Sequence, residues 1–273
     1  MGAMLPEPTF HTVLDTGTVK IHCFTSPEAF LSNSTWIIEG PSEVVVVDGQ
    51  FVVPYAQWFR GYVNSLLKPI NRVYLSHEHP DHFFGVSAGF PDVPAHALQE
   101  TIDFLAANGE AIRADRQKVY GGFVPESLVI PQHAVVEGAE VIDGITFVHR
   151  KIHHAEVETQ LVIDLPELGV SIVQDLVYSG GHVYIHSVDS SGWIGVLDDM
   201  AKNGPDLFLA GHGGTADRAE VQANADYLRE ATALAAGMTD VESFKAQLLE
   251  RFPDRKAAAI IDIYAPLLLA AKG

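Results

Sequence analysis

Apolar residues in the first third of the chain alternate with polar ones or fall in short unbroken runs, a pattern of strands. It predicts strands at Thr18–Phe24, Thr35–Glu39 and the β-branched run Glu43–Asp48, which closes on Asp48-Gly49. Pro54 is placed to open a helix through about Leu67. The short apolar segment Asn71–Leu75 is a predicted strand, and Leu98–Val119 has helical spacing, with Leu98, Ile102 and Leu105 on one face. After a Pro/Gly-rich loop, further strands are predicted at Ser127–Ile130, Ile145–His149, Thr159–Leu165, Val170–Gln174 and Asp206–Ala210. From Ala216 to the end the chain is rich in Ala and Leu and reads as helices. Two strand blocks, each followed by helices, suit two sheets packed face to face with helices outside. A doubly wound parallel sheet fits less well, because several strands follow one another directly. No linker or composition break interrupts the pattern, so a single domain over residues 4–273 is expected, with Met1-Gly2-Ala3 set aside as a cloning remnant.

The strand Asn71–Leu75 runs directly into Ser76-His77-Glu78-His79-Pro80-Asp81-His82-Phe83-Phe84-Gly85. His77, His79, Asp81 and His82 are four potential ligands within six residues. Alternate side chains of extended backbone share a face, so His77 and His79 can reach one point. A turn at Pro80 lets Asp81 and His82 aim at a second. Neutral imidazole and carboxylate suit zinc, and also iron, manganese or cobalt. Downstream, Asp175 and His212 each stand at or just past a predicted strand end.

This pattern resembles the metallo-β-lactamase superfamily, whose signature is His-x-His-x-Asp-His after a short strand. The resemblance extends from about Thr35 to Gly214. It implies a four-layer αββα sandwich of two mixed β-sheets, with Asp175 as the carboxylate that bridges two metals and His212 as the last histidine ligand. The third ligand departs from the usual histidine. Among Ile152–Thr159, His154 is the obvious chemical choice, but Glu156 stands 19 residues before Asp175, close to the family's interval, and His154 stands 21 before it. The alkylsulfatase-like branch carries a glutamate here, which favours Glu156; His154 stays open and His153 stands third. In family members that open lactones, a tyrosine at the offset of Tyr178 points into the site and stabilises the oxyanion. His153, His182, His186 and Trp193 are candidate pocket residues, the last three in or beside a Gly/Ser-rich loop. Phe51, Tyr55, Trp58 and Phe59 are at helical spacing and fit core packing better than a substrate wall.

Charge narrows the partners. Seventeen Lys and Arg against 35 Asp and Glu give a net charge of −18, which repels phosphate backbones and anionic lipid and argues against nucleic acid or membrane as a partner. The single cysteine, Cys23, permits no intrachain disulfide and reads as a small buried hydrophobe. No apolar run long enough to span a bilayer occurs; a cytoplasmic protein acting on a small molecule is the expectation, with a removed signal peptide and a homo-oligomer both left open.

The chemistry expected is hydrolysis. Two metals roughly 3.5–4 Å apart would share a water whose proton is lost near neutral pH, and the hydroxide would attack an electrophilic centre. Asp81 would orient it and carry its proton. No Gly-x-Ser-x-Gly elbow offers a serine nucleophile. An ester or lactone leads as substrate; a thioester or β-lactam follows. Iron-dependent oxygen or persulfide chemistry, and a non-catalytic metal-stabilised binding protein, remain as alternatives.

Overall fold

The structure, a computed structural model, describes residues 5–270; the suspected remnant Met1–Ala3 lies outside them. The first sheet is built from β1 (Thr9–Asp15), β2 (Lys20–Thr25), β3 (Ser34–Glu39), β4 (Val44–Val47), β5 (Ile70–Leu75), β6 (Ala95–Ala97) and β7 (His133–Ala134), in that spatial order. Pairing is antiparallel through β4 and parallel from β4 to β7. Helices α1 (Val53–Ser65), α2 (Pro80–Gly89) and α3 (Gln99–Tyr120) make its connections. The second sheet has β8 (Gly138–Ile142), β9 (Ile145–His153), β10 (Thr159–Leu165), β11 (Val170–Tyr178), β12 (Leu207–His212) and β13 (Thr215–Ala216), in order β13-β12-β11-β10-β9-β8. Only β11 and β12 run parallel in it; α4 (Ser191–Asn203) makes the crossover they need. Then α5 (Arg218–Gly237), α6 (Val241–Arg251) and α7 (Ala259–Ala270) close the chain.

The period-two pattern sorts the core into layers. In β4, Val45 and Val47 join Trp36, Ile38, Leu161 and Ile172 between the sheets, while Val44 and Val46 pack outward on Tyr55 and Phe59 of α1. Outside the second sheet, Val173 and Val177 meet Leu197 of α4, Leu228 of α5 and Ile261 of α7. The result is the αββα sandwich of two mixed sheets that the resemblance implied. Trp36 ties the sheets together, donating from Nε1 to Gln174 Oε1 at 3.1 Å and to Ala210 O at 3.0 Å.

Some elements differ from expectation. Ser127–Ile130 is not a strand; Leu128 and Ile130 pack irregularly against the core beside α3. Strands β1 and β8 carry no predictive alternation because they are mostly exposed edges, where packing does not dictate side-chain type. Tyr55 and Phe59 are core, whereas Phe51 is half-buried and Trp58 exposed. Cys23 is buried, and burial pushes its thiol up to about 11. Among the described residues, no helix is long and apolar enough to cross a membrane.

Candidate metal centre

Strand ends and one helix start converge on a single point. At the end of β5, His77 follows Ser76, and Pro80 begins α2 at its first turn. A proline at that position holds its predecessor extended, which fixes His79 (φ −75°, ψ 143°). Asp81 and His82 then occupy the first helical turn. The close fit of α2 depends on glycine: a Cβ on Gly85 would collide with the Gln50 backbone, and one on Gly49 with that of Val86. This contact brings His82 to Asp48, whose Oδ2 lies 2.8 Å from His82 Nδ1.

From the other sheet, β11 delivers Asp175 through a distortion. Gln174 has φ +43°, and the register with β12 shifts on both sides of it. In a regular strand, consecutive side chains face opposite ways; the bulge turns both Gln174 and Asp175 to the centre. Gln174 Nε2 donates to Asp48, while Asp175 Oδ1 lies 3.2 Å from His82 Nε2 and Asp175 Oδ2 lies 3.2 Å from His212 Nε2. His212 is the last residue of β12 rather than past it.

Among the described residues three overlapping donor groups result; one is Asp48, His77 and His82, in which Asp48 is already engaged by Ser76, His82 and Gln174. His77, His79, Glu156 and Asp175 offer atoms within 4.8 Å of one another, and so do Asp81, His82 and His212. Glu156 is 3.0 Å from His79 and 3.7 Å from His77; Asp81 is 3.4 Å from His212 and 3.8 Å from His82. His154 is not among them. A tight turn after β9, with His154 at φ +53° and its N–H donating to Glu158 O, sends its ring to the surface, 72% exposed beside Glu158. Two residues on, Glu156 points inward and is buried.

His77 Nε2, His82 Nε2, both Glu156 oxygens and Asp175 Oδ1 are buried without a hydrogen-bond partner in the chain. Leaving so many groups unpaired would cost roughly 1–3 kcal/mol each. Their arrangement fits divalent cations, which would satisfy them together. The far nitrogens are already held: His77 Nδ1 by Ser76 Oγ and His212 Nδ1 by Leu31 O, both at 2.8 Å, and His82 Nδ1 by Asp48. Such outer partners orient an imidazole and leave its other nitrogen free to ligate. Asp48 also accepts from Ser76 N and Oγ at 2.7 and 2.6 Å. Sequence reading saw Asp48 only as a turn residue; its position closing a β-branched run was the available signal.

Titration behaviour follows from the crowding. Burial would lower His79, but the Glu156 carboxylate outweighs it and raises the ring to about 9. Burial and the neighbouring cationic tendency of His82 press His77 well below its usual range. Burial raises Glu156 to about 7 against the pull of His79. For Asp175, burial is overcome by His82 and His212, which hold it well down; His212 itself is lifted to about 10, burial being outweighed by Asp175. Tyr178 is pushed well up by burial and by Asp175, so its hydroxyl keeps its proton and donates to Asp175 Oδ2 at 2.9 Å. Its ring stacks on His212 with centroids 4.8 Å apart.

A cavity of about 280 Å³ opens over Asp81, Asp175, Tyr178 and His212. None of the four predicted pocket histidines and tryptophan lines it. His153 is exposed at the end of β9 beside Thr159, and His186 is exposed in its loop. His182 is buried against Tyr227, and Trp193 is core, donating to Leu176 O at 3.1 Å. Packing of α4 and α5 took these two, since a large ring on a helix-facing segment is drawn to the core. Instead the walls include Phe51, Arg116, Tyr120, Tyr184, Ile260 and Ile263. Apart from Phe51, these carried no local signal.

The profile of the metallo-beta-lactamase superfamily matches residues 29–212. The chain belongs to that superfamily, whose members are mostly metallo-hydrolases that bind divalent metals. Among solved structures it is similar to a metallo-beta-lactamase from Pontibacter korlensis (13% identity, TM-score 0.62, 81% of this chain and 99% of that one). It is also similar to the metallo-beta-lactamase FIM-1 from Pseudomonas aeruginosa in its mono-zinc form (18%, 0.60, 84% and 97%). A variant of the sec-alkyl sulfatase PisA1 aligns at 18% identity and TM-score 0.63 over 92% of this chain and 47% of that one. At these identities the likeness is one of fold. A comparison with curated proteins returns no match.

Proposed function

We propose that the chain is a hydrolase with a binuclear metal centre that opens an ester or lactone of a small molecule. In this reading His77, His79 and Glu156 would hold one divalent cation, Asp81, His82 and His212 the other, and Asp175 would serve both. The carrying observation is the set of buried, unpartnered donor atoms from both sheets, together with Asp175, which groups with His77, His79 and Glu156 and also lies 3.2 Å from His82 and from His212. Bound cations would supply Lewis acidity and lower the pKa of a coordinated water. The chain's own groups do the rest. Asp81, partly open to the cavity, accepts a proton and returns it to the leaving group. Tyr178, a protonated donor on the cavity wall, turns from Asp175 to a developing oxyanion. Zinc is the first choice of metal; the oxygen donor Glu156 in place of an imidazole hardens the site and makes manganese or iron compatible.

The test is hydrolysis of a panel of aryl esters, lactones, thioesters and β-lactams by protein loaded in turn with zinc, manganese and iron. The expected result is turnover of esters or lactones, with kcat reduced about a hundredfold to a thousandfold in Tyr178→Phe. Metal loading at two equivalents with no turnover of any class would refute the hydrolase reading. Oxygen uptake by the iron form alone would replace it with an oxidoreductase.

A further inference from the structure

Arg116 is the one cationic side chain of Lys or Arg type among the residues that line the cavity. It stands on α3 one turn before Tyr120, which also lines the cavity; residues four apart share a helix face. Across from them is α7. Ile260 is 2% exposed, Ile263 46% and Leu267 67%, so a stripe at spacings of three and four leads from the cavity wall into solvent. This helix lies beyond residue 212, where the superfamily match ends.

Arg116 has little structural work. Its guanidinium contacts the adjacent Asp115 at 3.2 Å, with Arg116 half-buried and Asp115 exposed, a partly solvated pairing worth little to the fold. The carboxylates on the cavity floor, Asp81 and Asp175, belong to the donor groups and are directed at the cations they would hold. A fixed positive charge therefore faces the cavity of a chain whose net charge is −18, with apolar surface around it.

We propose that Arg116 is a specificity-determining residue, which reads one anionic oxygen group on a substrate whose apolar body lies between Tyr120 and Ile263. This rests on the same cavity being the substrate site, but not on which bond is cleaved. A guanidinium offers several donors in a planar fork to such a group, and the flanking side chains take the hydrocarbon.

Binding of non-hydrolysable ketones separates this idea from the reaction. Metal-loaded protein is titrated calorimetrically with benzoylbutyrate and with valerophenone, its neutral counterpart. Wild type should bind the anion about fivefold or more tightly. The ratio should fall to about one in Arg116→Gln, be partly restored in Arg116→Lys, and shrink with added salt. Unchanged metal content in both variants establishes that the site is intact. Equal binding of the two ketones by wild type overturns the proposal. So does a preference that survives Arg116→Gln, since the carboxylate would then sit on the metals. A charge preference that depends on Arg116, without hydrolysis of any ester, would leave this inference standing and remove the hydrolase reading alone.

Discussion

Replacing Gly211 with alanine tests whether Asp175 must hold its observed position. Gly211 lies in β12, beside Asp175 of the parallel strand β11. A Cβ built there overlaps Asp175 Oδ1 outright and comes within 3.0 Å of its Cγ and 3.1 Å of its backbone nitrogen. Ordinary contact begins near 3.4 Å, so either the strand spacing or the carboxylate must give way. The backbone is pinned by the ladder, and the carboxylate is the part that must rotate away from His82 and His212. A displacement of about 1 Å in a catalytic group costs on the order of a hundredfold in rate, and overpacking a core costs roughly 1–3 kcal/mol. Gly195, inside α4 with nothing near its own Cβ position, is the control; alanine there should stabilise by up to about 1 kcal/mol. Metal stoichiometry by elemental analysis, together with thermal unfolding, reads both. Gly211→Ala should lose metal and activity while Gly195→Ala keeps them. Full metal occupancy and activity in Gly211→Ala would refute the reasoning, because the shared carboxylate would then not need its place.

Two further predictions concern the donors themselves. Glu156→Gln should weaken metal binding by at least tenfold in an equilibrium dialysis measurement, whereas His154→Ala should leave it within about twofold, since that ring is exposed; the reverse order would restore a histidine as the third ligand. The pH dependence has a definite sign. With folded values of about 9 for His79 and about 10 for His212, raised from 6.5, the stability these rings give the metal-free protein is fully present below 6.5 and lost as pH rises through 9 to 10. Glu156, raised from 4.5 to about 7, acts in the same direction between those values. Cations must displace these protons, so apparent metal affinity should climb with pH from about 6 to 9 while the chelator-treated protein melts progressively lower. An affinity flat across that range would contradict the histidine environments described.

The sequence by itself determined the parts of this protein that depend on neighbours along the chain. His77 and His79 share a face because strand side chains alternate, and Pro80 starts α2 and so sets Asp81 and His82 on its first turn; four donors are legible in six residues. Buried strands such as β3, β4 and β10 declared themselves, because strands covered on both faces carry mostly apolar side chains in short runs. Exposed β1 and β8 did not. Tertiary structure decided what depends on residues far apart. Whether His154 or Glu156 faces the centre turned on a left-handed residue in a tight turn, which reverses the side-chain alternation. Asp48 became the support of His82 only when Gly49 and Gly85 let α2 abut β4, and Gln174 joined it through a bulge in the opposite sheet. Arg116, Tyr184 and Ile263 line one cavity though 68 and 79 residues separate them in turn, and no periodicity carries information over that distance. Local spacing encodes which donors a strand or turn presents; only packing fixes which of them meet, and what stands opposite.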